Sequence, residues 1–299
     1  MAIITCFGEV LWDVFPTYKK IGGAPLNVAL RLQSFDYNTF IISKIGNDGL
    51  GKELVRYGKE KGVDTSAIQV DSTLKTGVVN VSLDSNGSAS YEIEYPVAWD
   101  KIEVTNKSIT IVKSSEALIF GSLACRDNVS KDTLLQLLKY APFKVFDVNL
   151  RPPFYSMNLI LELMNLSDFI KCNDEELSKI CRALHFDSTA IIDQVKFLSQ
   201  HTNTCQFCVT KGKDGAVLFY KNQWYTHSGY PVKVNDTVGA GDSFLAALIS
   251  KLLQRDPPKE ALSFATAVGA LVASKEGANP VLSQLEILNF ARNSAKNID

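Results

Sequence analysis

Late in the chain, Asp236-Thr237-Val238-Gly239-Ala240-Gly241-Asp242-Ser243-Phe244 runs straight into the apolar segment LAALISKLLQ. Two glycines and two aspartates at the mouth of a helix admit two readings. In one, Asp242 or Ser243 caps the helix and the glycines serve a tight turn. In the other, the first N–H groups of the helix face an anion, because they lack partners within the helix and carry the positive end of its dipole. Glycines at 239 and 241, with the small Ala240 between them, let a phosphate approach bare amides. Asp242 could then accept the proton of an attacking hydroxyl.

Five further stretches place polar groups or glycines where strands are expected to end. Gly8-Glu9-Val10-Leu11-Trp12-Asp13 puts Asp13 at the carboxyl end of a first strand, and Ile21-Gly22-Gly23-Ala24-Pro25-Leu26-Asn27 then opens a helix. Asp and Asn read sugar hydroxyls well, since they accept and donate in fixed directions. Asp147-Val148-Asn149-Leu150-Arg151, Cys172-Asn173-Asp174-Glu175-Glu176 and Thr210-Lys211-Gly212-Lys213-Asp214-Gly215 follow later strand-like runs. Each alone is compatible with a turn. Together they form one rim at the carboxyl ends of strands, where ligands of such sheets collect. The Walker, HRD and DFG patterns are absent.

The elements that must position these groups alternate. AIITCFGEV, TFIISKIG, EALIFGS, KVFDVN, DFIKCN and CQFCVTKG read as strands; PLNVALRLQSF, GKELVRYGKEKG, KDTLLQLLKYA, MNLILELMNLS, IIDQVKFLSQH and the segment after Asp242 read as helices. Such alternation predicts an α/β protein with a mostly parallel sheet covered on both faces. One segment departs from it. GVVNVSLDSNGSASYEIEYPVAW has period-two patterning about Asn86-Gly87, a hairpin signal. It reads as an inserted lid or an antiparallel edge, and its Tyr91, Tyr95 and Trp99 could cover a ligand.

Bulk properties narrow the class. The chain has 299 residues, 46% hydrophobic and 21% charged, with net charge −1. That balance offers no electrostatic footprint for nucleic acid or an anionic membrane. No apolar run reaches a membrane span and the start lacks a signal-peptide pattern, so a cytoplasmic protein is expected. The six cysteines read as reduced thiols. Cys205 and Cys208 have redox-like spacing, but an offset of three in a strand puts their sulfurs on opposite faces. Three histidines, with no companion pattern, propose no metal site.

Taken together, GEVLWD, IGGAPLNVA, GNDGLG, DTVGAGDSF and SKEGANP resemble the ribokinase-like, or PfkB, carbohydrate kinases over essentially the whole chain. The glycine motif has the form that fructokinases tend to carry. The resemblance implies a ribokinase-like three-layer α/β/α fold, a single domain over 1–299, with a small β-sheet lid built from insertions around 13–20, 36–44 and 76–100. It implies ATP-dependent phosphorylation of a sugar, with fructose expected and ribose, 2-keto-3-deoxygluconate or a nucleoside as rivals. A catalytically silent sugar-binding relative is the reading from another class. Carried over by position, Asp242 is the general base, and the amides of Gly239, Ala240 and Gly241 form the anion hole. Asp13, Gly23, Asn27, Asn149 and Arg151 contact substrate. Asn173, Thr210, Gly212 and Gly215 border ATP, and Glu176 holds Mg²⁺ through water. Carbonyls at Asp236 and Val238 offer a site for K⁺. A homodimer through the lid sheet is implied as well.

Overall fold

The computed structural model describes residues 2–83 and 89–295; the expected turn at Asn86-Gly87 lies outside them. Two compact units divide the chain at Pro142 and Phe143. The α/β class and the mostly parallel sheet expected from the alternation are present.

In residues 1–142, β1 (Ile3–Phe7), β4 (Asn38–Gly46), β5 (Ile68–Asp71) and β8 (Ala117–Gly121) run parallel in the order β8-β1-β4-β5. Every residue of β8 is buried, as expected of a parallel strand covered on both faces. A second sheet holds β2 (Leu11–Val14), β3 (Lys19–Gly22), β6 (Gly77–Leu83) and β7 (Ala89–Ile93), in the order β3-β2-β6-β7. One face of it buries Leu11, Val79 and Val81, with Phe15 and Ile93 packed against them. The helices are α1 (Ala24–Gln33), α2 (Gly49–Glu60), α3 (Asn106–Ser114) and α4 (Asn128–Leu138). Asp48 starts α2 by accepting the Gly51 amide at 2.8 Å, and it ties the helix to Thr76 through that residue's amide (2.8 Å) and hydroxyl (2.7 Å). Burial pushes the Asp48 carboxyl up, but these donors outweigh it and hold the group below the ordinary range.

Three sequence expectations change here. The first strand does not reach Asp13. It stops at Phe7, Gly8 follows at φ 139°, and Asp13 lies in β2 of the small sheet, opposite Lys20 of β3. Residues 36–44, expected in the lid, instead lead into β4, which pairs in parallel with β1 over Asn38 to Ile42 and is buried along most of its length. Trp99 is fully buried, with the Arg126 guanidinium 3.9 Å from its ring, so it covers no ligand.

In residues 143–299, β9 (Lys144–Asp147), β10 (Phe169–Asn173) and β11 (Phe207–Thr210) are parallel. The hairpin of β12 (Ala216–Tyr220) and β13 (Gln223–His227) extends them antiparallel. The helices are α5 (Met157–Asn165), α6 (Asp174–Ala183), α7 (Ile191–His201), α8 (Ala240–Leu253), α9 (Pro258–Ala273) and α10 (Gln284–Ala295). α8 is buried almost throughout from Ser243 to Leu252 and packs on α9. That burial, rather than a cap, holds the helix end in place. All six cysteines are free; Cys205 is exposed in the loop before β11 and the others are buried. Burial pushes the Cys181 thiol up to about 11 and those of Cys6, Cys172 and Cys208 higher, which makes them inert packing groups.

Candidate active site

Sequence alone left the 236–244 stretch balanced between a cap and an anion site. In the structure α8 starts from Gly239 in a left-handed conformation (φ 73°) with no side-chain cap. A Cβ at 239 would lie 2.6 Å from the Cα, Cβ and carbonyl oxygen of Ala278, so only glycine fits this turn. The amide of Ala240 donates to the Thr237 carbonyl at 3.2 Å, and that of Ser243 to the Gly239 carbonyl at 2.8 Å. Of the three amides assigned to the anion hole, the one at 240 is therefore already engaged, over a long bond. Asp242 lies in the first turn, half-buried.

The turn is braced from both sides. Asp236 accepts the amide of Val238 (3.0 Å) with one oxygen and that of Gly277 (3.1 Å) with the other. It thereby links the 236–238 segment to the loop that carries Ala278. The first of these loops carries the carbonyls of Asp236 and Val238 that the K⁺ expectation names.

β10 ends beside this turn. Asn173 and Glu176 form a reciprocal capping box on α6: the Asn173 Oδ1 accepts the Glu176 amide at 2.7 Å, and Glu176 Oε2 accepts the Asn173 amide at 2.9 Å. Glu176 Oε1 accepts the Leu150 amide at 2.8 Å, which pins the loop bearing Asn149 and Arg151. Both Glu176 oxygens are thus occupied by backbone donors, leaving only their outer lone pairs. Those suit a water carried by a magnesium ion better than direct ligation. Among the described residues no three His, Cys, Asp or Glu side chains group as a metal site. Asn149 adopts φ 40°, a left-handed value that Asn tolerates, and Arg151 is exposed.

Sequence reasoning missed one residue here. Lys171 is buried at 7% exposure, and its ammonium lies 3.0 Å from each oxygen of Asp147 on the adjacent strand β9. A Cβ on Gly241 would stand 3.2 Å from its Nζ, so the ammonium rests against the first turn of α8. Burial alone would push this lysine down; the carboxylates of Asp147, Glu176 and Asp242 outweigh that and hold it charged, above the ordinary lysine range.

Thr210 closes β11, and Gly212 (φ 55°) and Gly215 (φ 82°) shape the turn to β12, where Lys211 donates to the Gly215 carbonyl at 2.7 Å. A side chain at 215 would collide with the His227 carbonyl and the Gly229 amide.

In the first unit, Asp13, Gly23 and Asn27 come together. The Asp13 carboxylate lies over Gly22, where a Cβ would come within 2.5 Å of its Oδ2. Gly23 starts α1 at φ 106°, with the Glu9 carbonyl 2.5 Å from where its Cβ would be, and Asn27 is buried in that helix's first turn. A Gly-Gly pair at this corner lets β3, α1 and the Asp13 side chain pack closely.

The model of the pfkB family carbohydrate kinases matches residues 4–285. The chain belongs to this family. It is a carbohydrate kinase. Fructokinase-2 of Solanum lycopersicum is 28% identical, over 94% of this chain and 93% of its own. Probable fructokinase-3 of Arabidopsis thaliana is 26% identical, over 98% of this chain and 92% of its own. Among solved structures, fructokinase with bound ATP from Xylella fastidiosa superposes with a TM-score of 0.87 at 25% identity, covering 98% of this chain and 99% of its own. No helix among the described residues is long and apolar enough to cross a membrane.

Proposed function

We propose that this kinase transfers the terminal phosphoryl group of ATP to a hydroxyl of fructose. As the bond from the sugar oxygen to phosphorus forms, the bond to the ADP oxygen breaks and the hydroxyl proton passes to the Asp242 carboxylate. The observation that carries the reading is the N-terminus of α8, which begins at left-handed Gly239 without a side-chain cap and holds Asp242 in its first turn. Charge in phosphoryl transfer spreads over the transferred oxygens, and fixed N–H dipoles answer it without reorganising. Gly239 and Gly241 supply the principal amides and Ala240 a weaker one, given its bond to Thr237.

Asp13, Gly23 and Asn27 hold sugar hydroxyls in this reading, and Asn149 and Arg151 contact substrate or phosphate. Asn173, Thr210, Gly212 and Gly215 border ATP. Glu176 would reach the waters of a magnesium ion carried by the nucleotide, which would neutralise phosphate charge. The carbonyls of Asp236 and Val238 would hold K⁺, and the Asp236 side chain keeps that turn against the Gly277 loop. The small sheet serves as a lid and as a contact between two subunits; its edge strand carries Tyr91 at 59% exposure, an apolar face suited to pairing. Fructose is preferred over its rivals because the curated relatives carry fructokinase names and the glycine motif reads Gly22-Gly23-Ala24-Pro25-Leu26-Asn27.

The test is steady-state phosphorylation of fructose, ribose, 2-keto-3-deoxygluconate and adenosine with ATP. Fructose is expected to lead. A rival ahead by about tenfold in kcat/KM, or about 1.4 kcal/mol, refutes the substrate. Asp242→Asn is expected to cost about 10²–10⁴-fold in kcat with folding intact, and a near-full rate in that variant refutes the base.

A further inference from the structure

Lys171 is a buried cation beside the first turn of α8, and the proposed reaction gives it no part. It extends from β10 into the space between Asp147 of β9 and the first turn of α8, with its Nζ 3.0 Å from both Asp147 oxygens. Its position is unusual on electrostatic grounds. Helix N-termini favour anions and disfavour cations, yet this ammonium rests against Gly241 in the first turn of α8. The residue at 241 is not in a left-handed conformation, so backbone freedom does not require glycine there. What a side chain there would meet is the ammonium: a methyl group would stand 3.2 Å from it and displace it by a few tenths of an ångström.

Two accounts fit a buried Asp–Lys pair. In the first it is mortar between β9 and β10, whose replacement by a neutral pair of similar volume leaves the protein working. In the second the cation adds to the helix end, so that two positive sources converge on one turn and an anion docking there relieves both. The glycine at 241 favours the second, because mortar between β9 and β10 has no need to touch α8. We propose that Lys171 is a positioning residue for the transferred phosphoryl group, its fixed charge, oriented by Asp147, raising the affinity of the α8 turn for the terminal phosphate of the nucleotide. The inference rests on the kinase reading above, in which that turn is the anion hole.

The consequence separates ATP from ADP, since only ATP places a third phosphate at the turn. Lys171→Met alone leaves Asp147 buried without its partner and is open to misfolding, so the informative variant is Lys171→Met with Asp147→Asn, compared against Asp147→Asn alone. Thermal denaturation establishes that both fold. Calorimetric titration with ATP and with ADP, in the presence of Mg²⁺ and without sugar, then measures each dissociation constant. The double variant is expected to bind ATP about tenfold more weakly than Asp147→Asn, with ADP unchanged within about twofold, and to lose about 10- to 100-fold in kcat, less than removal of a direct oxyanion donor. Lys171→Arg, which keeps the charge, is expected to recover part of the ATP affinity. If the double variant and Asp147→Asn have the same ratio of ATP to ADP affinity within about twofold, the inference is overturned and the pair is mortar. Because the affinity ratio is read without sugar, it stands apart from the wild-type phosphorylation assay, whose failure would sink the kinase reading instead.

Discussion

Replacing Gly239 by alanine tests the reasoning about the helix mouth most directly. The backbone at 239 has φ 73°, a conformation that costs an ordinary L-residue about 1–2 kcal/mol. The added methyl would stand 2.6 Å from three atoms of Ala278, well inside the ~3.5–4.0 Å at which carbon atoms rest. Either the turn or the Ala278 loop has to retreat by about 1 Å, and overpacking of this kind costs about 1–3 kcal/mol. The sum, about 2–5 kcal/mol, corresponds to a fall in Tm of at least about 4 °C in a chain of this size. A shift of about 1 Å in positioned groups also costs about 10²-fold in rate. ADP release in a coupled assay at saturating ATP and fructose gives kcat, and scanning fluorimetry gives Tm. Gly241→Ala is the matched control. Its backbone is unstrained and lies at the start of a helix, where alanine is favoured, so its Tm is expected to hold while kcat falls because the ammonium of Lys171 is crowded. A Gly239→Ala variant with wild-type kcat and Tm would refute the assignment of that turn to the anion.

Other expectations follow from single interactions. Arg126→Met breaks a buried bidentate pair with Asp100, whose side chains are 2% and 0% exposed at 2.7 Å, and is expected to cost about 3–5 kcal/mol by urea denaturation, recovered in part by pairing it with Asp100→Leu. Asp48→Asn removes a carboxylate whose folded pKa is depressed by Thr76 and Gly51. The stabilisation of about 1–3 kcal/mol is therefore complete above the unfolded aspartate value near ~3.9 and fades as pH falls through the lower folded value. Urea midpoints of wild type and variant are accordingly expected to differ at pH 7 and to converge at strongly acid pH. Thiol titration of the native protein should label Cys205 rapidly and leave the five buried cysteines protected until the chain unfolds. Gly215→Ala, at φ 82° and against the His227 carbonyl, should lower Tm and raise the KM for ATP together.

Period and punctuation made most of the large sheet readable in advance, because strands such as Ala117–Gly121 and Phe207–Thr210 are short apolar runs followed by turn residues. What stayed hidden depends on partners far along the chain. Nothing local marks Leu11–Val14 as a strand of a second sheet; it pairs with the nearby β3, but the sheet continues only through β6, reached at Gly77. The apolar run over Thr39–Ile42 fits a lid strand or a central strand equally until its pairing with β1 is seen. Lys171 was illegible for the same reason. A single lysine within FIKCN looks like one solvated position in a strand, and only the fold brings up Asp147, 24 residues away, and the α8 turn. Asn173 and Glu176 were assigned through the family resemblance, but their spacing serves a capping box as readily as a nucleotide contact.

The two glycines of the Gly-Ala-Gly run therefore answer different neighbours. Gly239 is glycine because the chain reverses in a left-handed turn against Ala278; Gly241 leaves room for the ammonium of Lys171, which a methyl group there would crowd at 3.2 Å. The first constraint fixes where the amides point, and the second adds charge behind them. A helix N-terminus alone attracts an anion only weakly, since its dipole amounts to about half a charge. The carboxylates of Asp147, Glu176 and Asp242 all act on the same lysine and hold it charged against the cost of burial. In the proposed reaction a phosphoryl group arrives at a turn already bordered by these carboxylates. A buried lysine tied to Asp147 offsets their charge without capping the helix, whose amides stay open to the phosphate in that reading.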